Sequence, residues 1–132
     1  VDLRRILNYG HTFGHALETL TNHAIPHGLG VAWGIDLINF LAASQNNEFA
    51  STDLKIHKFI GQHLPFTLGE FPSAIELVNM TRRDKKMSNG VLNLALPREC
   101  GDIYICPTVL DDQLVSLVDS YLKTRNVYAL NA

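Results

Sequence analysis

The sequence holds little cysteine, one tryptophan and no surplus of charge, and each shortage excludes something. Two cysteines, Cys100 and Cys106, make neither a disulfide framework nor a CxxC metal motif. The expectation is a pair of buried, unpaired thiols in a reducing cytosol. With 11 Lys+Arg against 13 Asp+Glu the net charge is −2, so there is no basic surface to draw nucleic acid in by its phosphates. The longest apolar stretch, Val31 to Ala43, is interrupted by Asp36 and Asn39 and is too short to span a bilayer, which excludes a membrane partner of that kind. The N-terminus lacks the charged-then-apolar layout of a signal peptide. No initiating Met is present, and Val1 leads almost directly into a helical pattern. The reading is a soluble cytoplasmic domain excised from something larger.

What is present suits one globular domain: 132 residues, 46% of them apolar. Periodicity predicts a first helix from Leu3 to Thr21, with Ile6, Phe13, Ala16, Leu17 and Leu20 on one side. Pro26 then breaks the chain, and His27-Gly28 reads as a turn. Val31 to Ser44 is apolar on nearly every face and belongs in the middle of a core. Thr52 and Asp53 read as the N-cap of a third helix whose apolar members are Leu54, Phe59, Ile60 and Leu64, and Pro65 ends it. Ser73 to Glu76 has capping-box spacing and opens a helix reaching about Arg82. Val91–Leu96 and Ile103–Cys106, each stopped by a proline, predict a two-stranded hairpin. Asp111 and Asp112 open a last helix. The expected fold is mainly α, a single helical domain over 1–132 with one small two-stranded β-hairpin.

Chemistry concentrates in the first helix. Arg4, Asn8, His11 and His15 recur at i, i+4, i+7 and i+11, within a sector of roughly 60° and away from the Phe13/Leu17 side. A plain solvated face carries Glu and Lys more often than two imidazoles, an amide and a guanidinium. Gly10 and Gly14 interrupt the same helix at about 1 kcal/mol each relative to Ala. They are easiest to explain where another backbone or a ligand approaches closely. His27 follows the break and supplies a third imidazole. Three histidines, or two and a carboxylate from elsewhere, are the usual ligands of a catalytic zinc. His23, His57 and His63 have no partners at useful spacing and read as surface residues. Arg82-Arg83-Asp84-Lys85-Lys86 could receive an anionic group or could be solvated loop charge.

The run Arg4-Arg5-Ile6-Leu7-Asn8-Tyr9-Gly10-His11-Thr12-Phe13-Gly14-His15-Ala16-Leu17-Glu18 resembles the signature of the 3-dehydroquinate synthases, sugar phosphate cyclases of the shikimate pathway. Pro26-His27-Gly28, Val31-Ala32-Trp33-Gly34-Ile35, Asp84-Lys85-Lys86 and Leu94-Ala95-Leu96-Pro97 continue the likeness along essentially the whole chain. It covers only the C-terminal, metal- and substrate-binding half of the family's enzyme.

The resemblance implies conversion of 3-deoxy-D-arabino-heptulosonate 7-phosphate to 3-dehydroquinate and phosphate. An alcohol is transiently oxidised with NAD, phosphate is eliminated, the ketone is reduced, and the ring closes by an aldol step. It implies Zn2+ (or Co2+) held by His11 and His27 with a glutamate from an N-terminal part. His15 is implied as the proton-transferring residue. Arg4, Asn8, His11, His27 and one lysine of Lys85/Lys86 are implied at substrate-binding positions. The implied partners are a phosphorylated sugar acid and an N-terminal NAD-binding domain, and a homodimer is compatible with it. No Gly-rich strand–turn–helix unit occurs here to hold NAD, so the chain alone is expected to be inactive. Leu29 and Gly30 depart from the Glu and Ala often found after the HG pair, which removes a carboxylate expected near the metal. Two other readings stay open: another sugar phosphate cyclase or related metal-dependent polyol dehydrogenase, and a non-enzymatic helical assembly fragment.

Overall fold

Gly10 sits at φ 85°, in the left-handed region that favours a residue without Cβ, and the chain turns there rather than continuing as helix. The computed structural model, which describes residues 9–83, 87–88, 91–99 and 102–128, places the first helix, α1, at His11–Leu20. The helix expected to run unbroken from Leu3 therefore fails at Tyr9–Gly10. His11 and His15 still share α1, whereas Arg4 and Asn8 lie outside the described residues.

α1 ends at Thr21, whose hydroxyl donates to the Leu17 carbonyl at 2.8 Å. Asn22 (φ 55°) and His23 (φ 62°) then reverse the chain. Pro26 is the N-cap of α2, His27–Gln45. His27 and Gly28 thus form the first turn of this helix instead of the expected loop turn. At the cap Pro26 loses nothing by lacking an N–H.

α2 is the central element, packed against α1, against α3 (Ala50–His63), against the last helix α5 (Asp112–Thr124) and against the sheet. Trp33, Leu37, Ile38, Leu41 and Ala42 are all buried, as its all-round apolarity predicts. Where α1 and α2 cross, glycines let the backbones touch. A Cβ on Gly14 would lie 2.6 Å from the Gly30 carbonyl oxygen, and one on Gly34 would lie 1.9 Å from that of Gly10. The approach anticipated at Gly10 and Gly14 is that of another backbone.

A short 3-10 turn, Asn47–Phe49, precedes α3, with the Asn46 side chain accepting from the Glu48 N–H. α3 consequently starts two residues before the expected Thr52 cap. Asp53, read as a cap, is instead buried and accepts from Arg125 at 3.1 Å. Of the apolar residues assigned to this helix only Ile60 is buried; Leu54, Phe59 and Leu64 are exposed. α4, Ala74–Thr81, opens with the expected capping box between Ser73 and Glu76. Asp111 caps α5 through the Leu114 N–H at 3.0 Å.

The expected hairpin forms from β2 (Val91–Glu99) and β3 (Asp102–Val109), antiparallel, with Leu94 opposite Cys106. A two-residue strand, β1 (Met87–Ser88), adds to its edge. Both long strands run through the prolines expected to end them. Among the described residues β3 is an edge strand and β1 pairs only with Val91 and Leu92, so no neighbouring strand on the open side requires Pro97 or Pro107 to donate. Cys106 is free and half-buried, less enclosed than expected; Cys100 lies outside the described residues. Among those residues no helix is long and apolar enough to cross a membrane.

A buried carboxylate joins three of these helices. Asp36 on α2 is fully buried and accepts from the Tyr121 hydroxyl of α5 at 2.6 Å and from His57 Nδ1 of α3 at 2.9 Å. His57 is therefore a structural partner, contrary to its reading as a surface residue. The exposed His63 donates only to Phe59 of its own helix. Burial pushes the Asp36 carboxyl above its ordinary range, offset in part by the bonds from Tyr121 and His57. A carboxyl whose native pKa exceeds its unfolded value of about 3.9 favours the folded state fully below that value. This contribution is lost as pH rises through the raised native pKa. Asp36→Asn removes that loss, so its stability relative to the parent should increase through the window that opens above about pH 4. Urea midpoints across this window check it, and a constant or falling difference would count against the sign.

Candidate functional site

The site lies where the start of α2 returns beside α1. His11 is the first residue of α1 and His27 the first of α2, and the reversal at Asn22-His23 brings their rings to a centroid distance of 5.7 Å, tilted by 57°. His11 Nδ1 is buried and has no hydrogen-bond partner, a costly state for a polar atom unless something else occupies its lone pair or takes its proton. His15 stands one turn further along α1 and is exposed. The two residues expected as ligands are thus brought together, and the expected proton carrier is left open to solvent beside them.

Sequence reasoning missed Glu18. It lies on α1 seven residues after His11, it is only 4% exposed, and its Oε1 is 2.5 Å from His27 Nδ1. A carboxylate thus stands beside His27, carried by α1 rather than by the residues after the HG pair, which are Leu29 and Gly30 as expected. Gly30 helps to make room: a Cβ there would stand 3.1 Å from Glu18 Cγ. The i, i+7 spacing from His11 was the available signal, because it places a carboxylate on the same side of the helix.

The cationic run after α4 divides. Arg82 donates to the Leu110 carbonyl at 3.0 Å and to Asn79 Oδ1 at 3.1 Å, so it joins α4 to the segment before α5. Lys85 and Lys86 lie outside the described residues. An open cavity between α2, α3 and α5 is lined by Phe40, Ser44, Asp53 and Arg125, at the end of α2 remote from the histidines.

Nitrogen donors on two rigid helix starts suit a borderline metal such as Zn2+ or Co2+, and the orphaned His11 Nδ1 fits that use. Among the described residues no three His, Cys, Asp or Glu side chains gather into a metal-holding group. Two imidazoles alone leave room for a further protein ligand as well as an open position.

The family described as 3-dehydroquinate synthase C-terminal matches residues 1–87. Among curated proteins, a 3-dehydroquinate synthase of Koribacter versatilis is 35% identical over 117 residues, covering 88% of this chain and 32% of that protein. One from Thermococcus kodakarensis is 36% identical, covering 78% and 29%, and one from Agrobacterium fabrum is 36% identical, covering 94% and 34%. The chain spans about a third of the length of the curated relatives it matches.

Proposed function

The chain belongs to the 3-dehydroquinate synthase C-terminal family, and from this we propose that it is the metal- and substrate-binding domain of a 3-dehydroquinate synthase. The reaction is conversion of 3-deoxy-D-arabino-heptulosonate 7-phosphate to 3-dehydroquinate and phosphate, in the cytoplasm and within the shikimate pathway. The observation that carries the reading is the His11–His27 pair, two rings 5.7 Å apart with a buried, unpartnered nitrogen on His11. His11 and His27 would hold Zn2+ or Co2+, with a further ligand from an N-terminal half. The bound metal would supply Lewis-acid polarisation of substrate oxygens.

His15, exposed one turn from His11, takes the proton-moving role, to which an imidazole is suited near neutral pH. Arg4 and Asn8 precede the Gly10 turn, and one of Lys85 and Lys86 follows α4; these would bind the anionic and hydroxyl groups of the sugar acid. The rigid crossing of α1 and α2 holds His11 and His27 at fixed separation, which a metal-held substrate requires. NAD belongs to the N-terminal half, which is the chain's first partner in this reading, and a second copy of the enzyme is compatible with it.

The test is phosphate release. The chain alone should release none from the heptulosonate phosphate, and the two-domain protein should release it in an NAD-dependent way. Turnover by the 132-residue chain at the rate of the whole protein would refute the division of labour.

A further inference from the structure

We propose that Glu18 is the positioning residue for His27: by accepting a hydrogen bond from Nδ1–H, its carboxylate holds the ring and leaves Nε2 as the unprotonated donor for the metal. The inference rests on the reading of His27 as a metal ligand and adds a residue to it. The His27 side chain is 68% exposed, so packing fixes its rotamer weakly, and the 2.5 Å bond to Glu18 is what orients it. The Glu18 side chain is the rigid partner, 5% exposed and carried on the buried side of α1. A buried carboxylate requires a donor, and the neutral imidazole requires its proton on one nitrogen. Which nitrogen carries it is set by the hydrogen bond the other end makes. A carboxylate behind a ligating histidine also raises the basicity of the ligand. Gly30 permits the arrangement, since a Cβ at that position would press on Glu18 Cγ at 3.1 Å and Oε1 at 3.2 Å.

The experiment uses the two-domain protein and three variants, Glu18→Gln, Glu18→Leu and His27→Ala. Zinc affinity is read by chelator competition, and the His27 tautomer by long-range proton–nitrogen spectra of the metal-free protein. The parent should carry the His27 proton on Nδ1. Glu18→Gln should keep it there, because the amide oxygen still accepts. Glu18→Leu fills the buried space without an acceptor. It should move the proton towards Nε2 and weaken zinc binding by about 10–100-fold. A parent with its His27 proton on Nε2 overturns the proposal without any variant, whether or not the leucine protein folds. Parent-like zinc affinity in Glu18→Leu, with His27→Ala depleted of zinc, overturns the role of Glu18 alone. Parent-like affinity in His27→Ala overturns the ligand reading and this inference together.

Discussion

In the two-domain protein, His11→Ala and His27→Ala should each lose zinc and turnover together, whereas His15→Ala should keep its zinc and lose turnover by about 10²–10⁴-fold. On the proposed ligand set, removing one of three protein ligands would leave the ion mostly to water, so occupancy should fall with activity. The competing assignment is chelation by His11 and His15, an i, i+4 pair on one helix face. The packing of α1 on α2 argues against it, because the His27 ring is within 5.7 Å of His11 and is backed by Glu18. His15 is exposed at the rim, where a proton carrier can exchange with solvent. Metal analysis of the three variants, each checked for helical content, decides the matter. Zinc lost from His15→Ala but retained in His27→Ala would reverse the two roles.

Gly34→Ala should destabilise the fold by about 2 kcal/mol or more, an overpacking cost large against a native stability of about 5–15 kcal/mol. The new methyl would stand 1.9 Å from the Gly10 carbonyl oxygen and 2.9 Å from the Gly14 nitrogen. Both are backbone atoms, so no side chain can swing aside and the two helices must part. The gain in helix propensity, about 1 kcal/mol, offsets only part of this. Gly28→Ala on the same helix has nothing within 4 Å, and it should gain about 0.5 kcal/mol or more. Thermal or urea unfolding of the two variants side by side separates crowding from propensity. Equal effects of one sign would remove the close crossing as the reason for Gly34. Because the crossing also sets the distance between His11 and His27, Gly34→Ala should weaken metal binding beyond its effect on stability.

Some of the fold was legible because its signals are local. A capping box at Ser73, an aspartate cap at Asp111, apolar residues on every face of Val31–Ser44 and two β-rich runs around a turn each act within a few residues. The imidazoles at His11, His15 and His27 stood out as candidates for the same reason, since residue type and spacing mark them. Helix ends were less so. Periodicity carried the first helix through Gly10, because a pattern of side chains is silent about a backbone φ of 85° and about the Ile35 and Val31 atoms that a Cβ there would meet. The prolines at 97 and 107 read as strand stops, and only the position of each strand in the sheet shows that their missing donors are not needed.

What the amino-acid sequence determined by itself is therefore the helical class, the buried place of α2 and the histidines offered as candidates for chemistry. The tertiary structure alone decided which side chains meet. Glu18 reaches His27 across a chain reversal, Asp53 turns from cap to partner of Arg125, and Asp36 joins His57 to Tyr121 from the far end of the sequence. The physical reason is that a buried carboxylate must find its donors wherever packing brings them, and that choice is made between helices, beyond the reach of any periodicity along one.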